Sequence, residues 1–579
     1  MQKYKLILLS IFLFLGAQLE LGAQNIFKKK IKKQKQLTES QHIDTEAIFI
    51  DASKEYVLGN YAKSLILYQK FLDFYPTNSA AHFKMAECLV RKSDTMQAIL
   101  FAKRAIELDP ESRFNYVLLA ELYESKGYYN EAIVVLNQLL SKGHHDDQYY
   151  FDLASLYYEV KKFPETISML DKAEERYGIN PEITFKKQEL YIKLNQLDKV
   201  EAEWRKLINA FPAEIMYKLE LAEILLNNEM PVQSKKLIDE AIAQDPEEPA
   251  GKLILADWLR QQGYSSAADS MITLAFSSER LPVEDKINII TEYAQSGNAN
   301  DNATKVLCLK LGALTAKYHP NEASALSIYA DMLIINEQYR AAQENYIKSL
   351  KLDGNHFSVW QQVLNIDLQE KMVDSIIKHS NEALTFYPTQ PIFYYYLGLG
   401  YEQAKKYKDA INKLQKAQIM LEGGDKKLRV QVSSLLGDIY YSLKDYKNSD
   451  LNFDDALKYD PNNYHILNNY SYYLSVRKER LADALKMSKQ VVDFYPDEAN
   501  FLDTYGWILY QDNKLEEAEK YLSRAAELSK NGTIYEHLGD VLYKLGKQDL
   551  ALDYWKKAQK LGDTTELLPK KIADKKLYE

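Results

Sequence analysis

The sequence predicts an all-α chain, a solenoid of about fifteen stacked helix pairs, and three observations carry that expectation. Four landmark positions (small, small, small, turn-forming) recur at intervals of twelve, seven and five residues. Turn residues recur every 34 positions, as from Pro76 to Pro110, Pro212 to Pro246, Pro320 to Gly354 and Gly354 to Pro388. Gly and Pro are scarce, 21 and 15 in 579 residues, which disfavours a loop-rich all-β fold. A chain of this length would ordinarily divide into several globular domains. A solenoid escapes that rule, because each unit touches only its neighbours and length adds units rather than depth.

Residues 1–23 come first. A short basic start, Met1-Gln2-Lys3-Tyr4-Lys5, precedes an apolar run from Leu6 to Ala17, and small residues follow at Gly16-Ala17 and Gly22-Ala23. This is the three-part layout of a secretory signal peptide, with an apolar stretch too short for an ordinary membrane span. Cleavage after Ala17 or Ala23 fits, Ala23 being preferred because Gln24 then opens a polar segment. No cysteine lies near the site, so a lipoprotein anchor is not expected. The chain is expected to be exported, to the periplasm or the cell envelope.

Residues 24–44 form a basic leader. Lys28, Lys29, Lys30, Lys32, Lys33 and Lys35 make a run that either solvates the leader or contacts anionic lipid head groups. The run opposes export, since positive charge resists translocation. It also skews the net charge of −9: residues 1–35 hold eight Lys against one Glu, so the remainder carries −16 (−9 less +7). An acidic body argues against nucleic acid, whose phosphates call for a basic stripe.

The repeats occupy 45–566. Gly437, Ser449, Ala456 and Pro461 fit the four landmarks, as do Ala86, Ala98, Ala105 and Pro110, and Ala222, Ser234, Ala241 and Pro246. Four further sets begin at Ala330, Gly398, Gly506 and Gly539. The first two small residues let two antiparallel helices approach closely, the third packs against the next unit, and proline or glycine ends the second helix. Large apolar residues at i, i+3 and i+4, such as Leu435, Leu436, Ile439 and Tyr440, fill the contact positions.

Spacing and lettering together resemble the tetratricopeptide repeat, whose pattern is W-x2-L-G-x2-Y, then A-x3-F, then P, over about 34 residues. Leu436-Gly437-Asp438-Ile439-Tyr440 and Leu397-Gly398-Leu399-Gly400-Tyr401 carry its first-helix lettering, and Ala551 with Trp555 its second. The units from Leu502 onward look like those of exported bacterial cell-envelope members. An N-terminal array is expected at 45–281 and a C-terminal one at 323–566. The segment 282–322, with Gly297-Asn298-Ala299-Asn300-Asp301-Asn302 in place of a short turn, is expected to be a degenerate or longer unit and the main break. Glu422-Gly423-Gly424-Asp425 marks a second irregular junction, and 567–579 reads as a polar capping helix.

The resemblance implies a right-handed superhelix whose concave face is lined by first helices. Residues just past the small landmark should project there: Asp503, Trp507, Tyr510 and Gln511 in one unit, with Asn469 and Tyr472 before it. Glu536, Asp540 and Tyr543 follow it, and Tyr395, Leu399 and Glu402 come from an earlier unit. An aromatic, acidic groove suits a peptide with apolar anchors and basic residues. The alternative is that many of the 44 Tyr simply pack between helices. The lysine and asparagine carboxylate clamp of some cytosolic co-chaperones is absent at these positions, which argues against acidic C-terminal peptides.

The sequence carries no recognisable catalytic constellation. His144-His145-Asp146-Asp147 could bind a metal by residue type, but it falls where a turn belongs and reads as a polar loop. There is no Gly-rich phosphate loop, H-E-x-x-H or G-x-S-x-G. Glu516-Glu517 and Asp454-Asp455 are neighbours whose side chains diverge around a helix, and read as solvated faces. Cys88 and Cys308, each in an apolar helical pattern, read as buried thiols. The expected protein is therefore no enzyme, needs no cofactor or metal, and binds other proteins or peptides as an envelope scaffold. The alternative is a membrane-surface chaperone or carrier tethered by the lysine run.

Overall fold

The computed structural model describes residues 38–295 and 301–578. The expected signal peptide and the lysine run of 28–35 lie outside the described residues. Among those described there are helices and no strands: thirty-one, from α1 (Glu39–Val57) to α31 (Leu568–Asp574), of which the first thirty form fifteen consecutive pairs. Two compact units are distinguishable, Met1–Pro246 and Glu247–Glu579.

The landmarks are the points where paired helices cross. A Cβ placed on Gly398, Gly506 or Gly539 would lie 2.5–2.6 Å from Leu414, Leu522 or Trp555 of the partner helix, so only glycine permits the approach. Ala410, Ala518 and Ala551 at the second landmark are fully buried. Where that landmark is serine, its hydroxyl donates to the first landmark's carbonyl, from Ser234 to Ala222 at 2.7 Å and from Ser449 to Gly437 at 2.9 Å. The small hydroxyl thus satisfies itself in a site too tight for water.

The turn inside each pair adds a regularity of its own. The backbone enters the left-handed region at Gly59, Ser93, Gly127, Lys161, Asn195, Glu229 and Gly263, each 34 residues after the last, and again at Glu337, Lys371 and Lys405. From Gly263 to Glu337 is 74 residues, six more than two periods, so the spacing of the turns lengthens between them. The intervening helices α15 (Val283–Gln295) and α16 (Asn302–Tyr318) nevertheless share one apolar cluster with both neighbouring pairs, through Ala256, Ile272, Ile290, Cys308, Leu311 and Met332. Packing is continuous there, and the division between units falls earlier, at Pro246–Glu247.

The second irregular junction is also real in length: Lys405 to Lys444 is 39 residues. Gly423 takes a left-handed φ, and Asp425 caps the following helix by accepting from the amides of Lys427 and Leu428. Cys88 and Cys308 are both buried thiols. Asp455 differs from its expected solvated state. It is half-buried and paired with Arg429 through two contacts, Nε at 2.9 Å and Nη2 at 3.1 Å. The tail helix α31 differs too, because Leu568 and Lys571 on it are buried.

Candidate protein-binding surface

First helices of the C-terminal pairs carry the residues in question. They are α21 (Pro391–Gln403), α23 (Lys426–Ser442), α25 (Tyr464–Arg477), α27 (Ala499–Gln511) and α29 (Gly532–Lys544). Three of them are capped by a short polar residue: Asp425 for α23, Asn463 for α25 and Asn531 for α29, the two asparagine side chains accepting from the amides of Ile466 and Ile534. The small residue at the crossing, glycine in four of these helices and the fully buried Ser471 in α25, then sets how closely each helix approaches its partner.

Three of the expected groove residues come together, joined by one the sequence did not single out. The Trp507 indole is half-buried and stacks on the His537 ring at 4.0 Å and 21°, and on the Tyr510 ring at 4.9 Å and 24°. His537 Nδ1 meets Asp503 Oδ1 at 2.9 Å, linking α29 to α27. Burial, the largest single influence, would lower the His537 pKa, but the Asp503, Asp540 and Glu536 carboxylates together outweigh it, so the net shift is upward. Tyr472 on α25 is close enough to Asp503 to feel its charge, while Asn469 on the same helix is exposed.

Glu536 and Asp540 have a different role from the one expected. They are 1% and 3% exposed, closed over by the tail. Lys571 Nζ donates to Glu536 Oε1 at 2.9 Å and to the two Asp540 oxygens at 2.9 and 2.6 Å. Trp555 Nε1 donates to Asp540 at 2.8 Å, and the Thr565 amide to Glu536 at 2.8 Å. These two carboxylates hold α31 in place and are not part of an open groove. Tyr395, on α21, is half-buried beside Tyr396 and does not join the Trp507 cluster.

A second group on the same helices was missed. Asp438 on α23 accepts from the Tyr473 hydroxyl at 3.0 Å, and the Tyr473 and Tyr441 rings stack at 3.7 Å and 13°. The signal was present in the sequence, since Asp438 stands one residue past Gly437 as Asp540 stands one past Gly539. His537 gave no such signal, because its partner lies 34 residues away.

In the N-terminal unit, Asp171, Glu174 and Glu203 lie close enough to hold a cation, and a buried lysine fills the place. Lys187 Nζ reaches them at 2.6, 2.7 and 3.2 Å. In the 144–147 loop, His144 meets the Glu111 carbonyl, His145 the Tyr150 hydroxyl, and Asp146 caps the Gln148 amide, so these three side chains serve the turn.

Family models described as tetratricopeptide repeat match residues 67–99, 115–141, 430–463 and 504–564. A TPR repeat-containing protein of Pseudomonas aeruginosa is 33% identical over 81 residues, 14% of this chain and 14% of its own. One from Methanocaldococcus jannaschii is 30% identical over 95 residues, 16% of this chain and 17% of its own. The chain thus spans under a fifth of the length of each of these relatives. Among solved structures, a Naa15/Naa10 complex bound to HypK-THB is similar at 13% identity and TM-score 0.34, covering 92% of this chain and 96% of that one. Cut9 with Hcn1 is similar at 12% identity and TM-score 0.29 with the same coverage, and Pseudomonas aeruginosa pilF at 23% and 0.28, covering 32% and 83%.

Proposed function

The chain is a tetratricopeptide-repeat protein, and we propose that it is a scaffold whose partner docks on the first helices of its C-terminal pairs. The observation that carries this reading is the half-exposed Trp507 indole, stacked on two rings and backed by the Asp503–His537 pair. A large aromatic held rigid before binding loses little entropy on contact, which is what makes such residues anchors of protein interfaces. Tetratricopeptide repeats generally serve as interaction modules, and two of the carboxylate clusters described above are filled by a buried lysine, Lys187 and Lys571. That supports a non-enzymatic role.

The layout of residues 1–23 supports a place in the bacterial cell envelope. Crosslinking or proximity labelling in the native cell tests both points. The expected result is an envelope protein captured by the natural chain and lost from Trp507→Ala, with thermal melting showing that the variant still folds. Capture that is indifferent to Trp507 counts against this docking surface, and capture of cytosolic proteins alone counts against the location. The lysine run of 28–35 supports a second reading, a membrane-surface chaperone or carrier. It predicts that deleting residues 25–35 releases the protein from the membrane fraction, and unchanged fractionation would contradict it.

A further inference from the structure

A cavity of about 410 Å³ opens between two successive pairs of the N-terminal unit. Most of its lining comes from α9 (Pro181–Lys193), with Trp204 from α10 (Leu197–Ala210) and Glu220 from α11 (Ile215–Asn227). Phe185, Gln188 and Ile192 stand at i, i+3 and i+7 on α9, so they share one face of that helix. Trp204 is 1% exposed and makes the floor. Its ring lies 5.4 Å from that of Phe185, and its Nε1 donates to Gln188 Oε1 at 2.7 Å. The two apolar walls are open by contrast, Phe185 at 47% and Ile192 at 53% exposed. The polar edge has two different sides. Glu189 accepts from Lys193 Nζ at 2.6 Å and from the Tyr158 hydroxyl at 2.8 Å, so the Glu189 and Lys193 charges neutralise each other. Glu220 lines the cavity from the next first helix and makes no ion pair among the described residues.

We infer that this cavity receives a phenylalanine or leucine side chain of a bound protein, with a lysine or arginine beside it in the partner's sequence paired to Glu220. A large apolar side chain would take the open faces of Phe185 and Ile192 out of water together. It would do so over a floor that the Trp204–Gln188 hydrogen bond already holds in place, so little ordering is left to be done on binding. A small polar side chain would leave both walls wet. A basic neighbour would complete the unpaired carboxylate of the lining, whereas an acidic one would meet Glu220 with like charge. The site lies in the other compact unit from Trp507 and does not depend on that surface. It gives the chain a second point of attachment with a selectivity of its own.

The test uses the full chain and fluorescein-labelled, amidated peptides of glycine and serine with a central Phe-Arg, Ser-Arg or Phe-Glu pair. Fluorescence anisotropy at low salt is expected to show the Phe-Arg peptide binding roughly tenfold or more tightly than either control, the size of one buried side chain or one charge-assisted contact. Ile192→Ser should cut the preference for Phe over Ser, and Glu220→Gln the preference for Arg over Glu. Both side chains are exposed, and thermal melting should show that each variant folds. W507A should leave both preferences unchanged. Equal affinity for the three peptides, or no binding by any of them, overturns the inference. So does a preference for Phe that survives Ile192→Ser undiminished, or one for Arg that survives Glu220→Gln. If the preferences are lost in W507A and kept in I192S and E220Q, the peptides bind the C-terminal surface, which then stands while this site falls.

Discussion

Asp540 and Asp438 stand at equivalent places in two repeats of one unit, yet one is sealed and the other open. Beside Asp540, α31 folds back, Leu568 fills the gap next to Trp555 and Ala558, and Lys571 neutralises two buried carboxylates. Beside Asp438 the same register leaves a half-buried carboxylate with only a tyrosine hydroxyl as donor. The repeat supplies a place for an acid, and what lies over that place decides whether it is sealed with a cation, as at Asp540, or left half-buried, as at Asp438. Lys187 makes the same point in the N-terminal unit, where three carboxylates are neutralised from within.

The largest expected effect comes from emptying the sealed site. Lys571→Met leaves Glu536 and Asp540 buried without a cation, which should cost about 3–5 kcal/mol of local stability. Hydrogen exchange over residues 532–578 checks it, and a loss below about 1 kcal/mol would show that the cluster is hydrated and not sealed. Next come the crossing glycines. A Cβ on Gly539 meets Trp555 Cδ1 at 2.5 Å, and one on Gly437 meets Phe453 Cζ at 2.8 Å. Each alanine substitution should cost about 1–3 kcal/mol. Gly539→Ala should be the worse of the two by denaturant titration, because Trp555 is tied to Asp540 and cannot swing away freely.

A smaller effect is expected from pH. His537 has its pKa raised in the folded state, so its pairing with Asp503 stabilises fully below the ordinary value of 6.5 and fades as pH rises through the higher folded value. Melting temperature should therefore fall over that range, and His537→Gln should flatten the upper part of the decline. The smallest change belongs to the open site. Asp438, with its pKa raised to about 6, opposes folding once ionised, so its contribution is lost as pH rises through that value. Asp438→Asn should leave stability at neutral pH equal or slightly higher, by no more than about 1 kcal/mol after solvent screening. Asp540 is also pushed up to about 6, by burial against the opposing pull of Lys571, so the two sites share the direction of their pH response. They differ in substitution: Asp540→Asn removes a partner of the buried Lys571 and should lower stability.

Much of the fold was legible in the sequence because the crossing points admit only small side chains. Gly398, Gly506, Ala410 and Ala518 are visible as letters for that reason. The left-handed turns were not, since Ser93, Lys161, Asn195 and Glu229 occupy them without being glycine. Each bears a cost of about 1 kcal/mol that the packed helices on either side absorb. The division at Pro246 was hidden because that proline keeps perfect register, while the conspicuous 282–322 segment packs without a break. In the site, Asp503, Trp507 and Tyr510 could be placed from their distance to the landmark. Glu536 and Asp540 were misassigned as open because Lys571 lies beyond the repeat pattern, where no period predicts what it touches.

Carbodiimide modification of the folded protein, read by mass spectrometry, measures the difference between the two acid sites most directly. The carboxylates of the sealed site, Glu536 and Asp540, are 1% and 3% exposed and should stay unmodified because the reagent cannot reach them, while the half-buried Asp438 should be modified. Modification of Glu536 or Asp540 in the folded protein as fast as that of Asp438 would contradict the account.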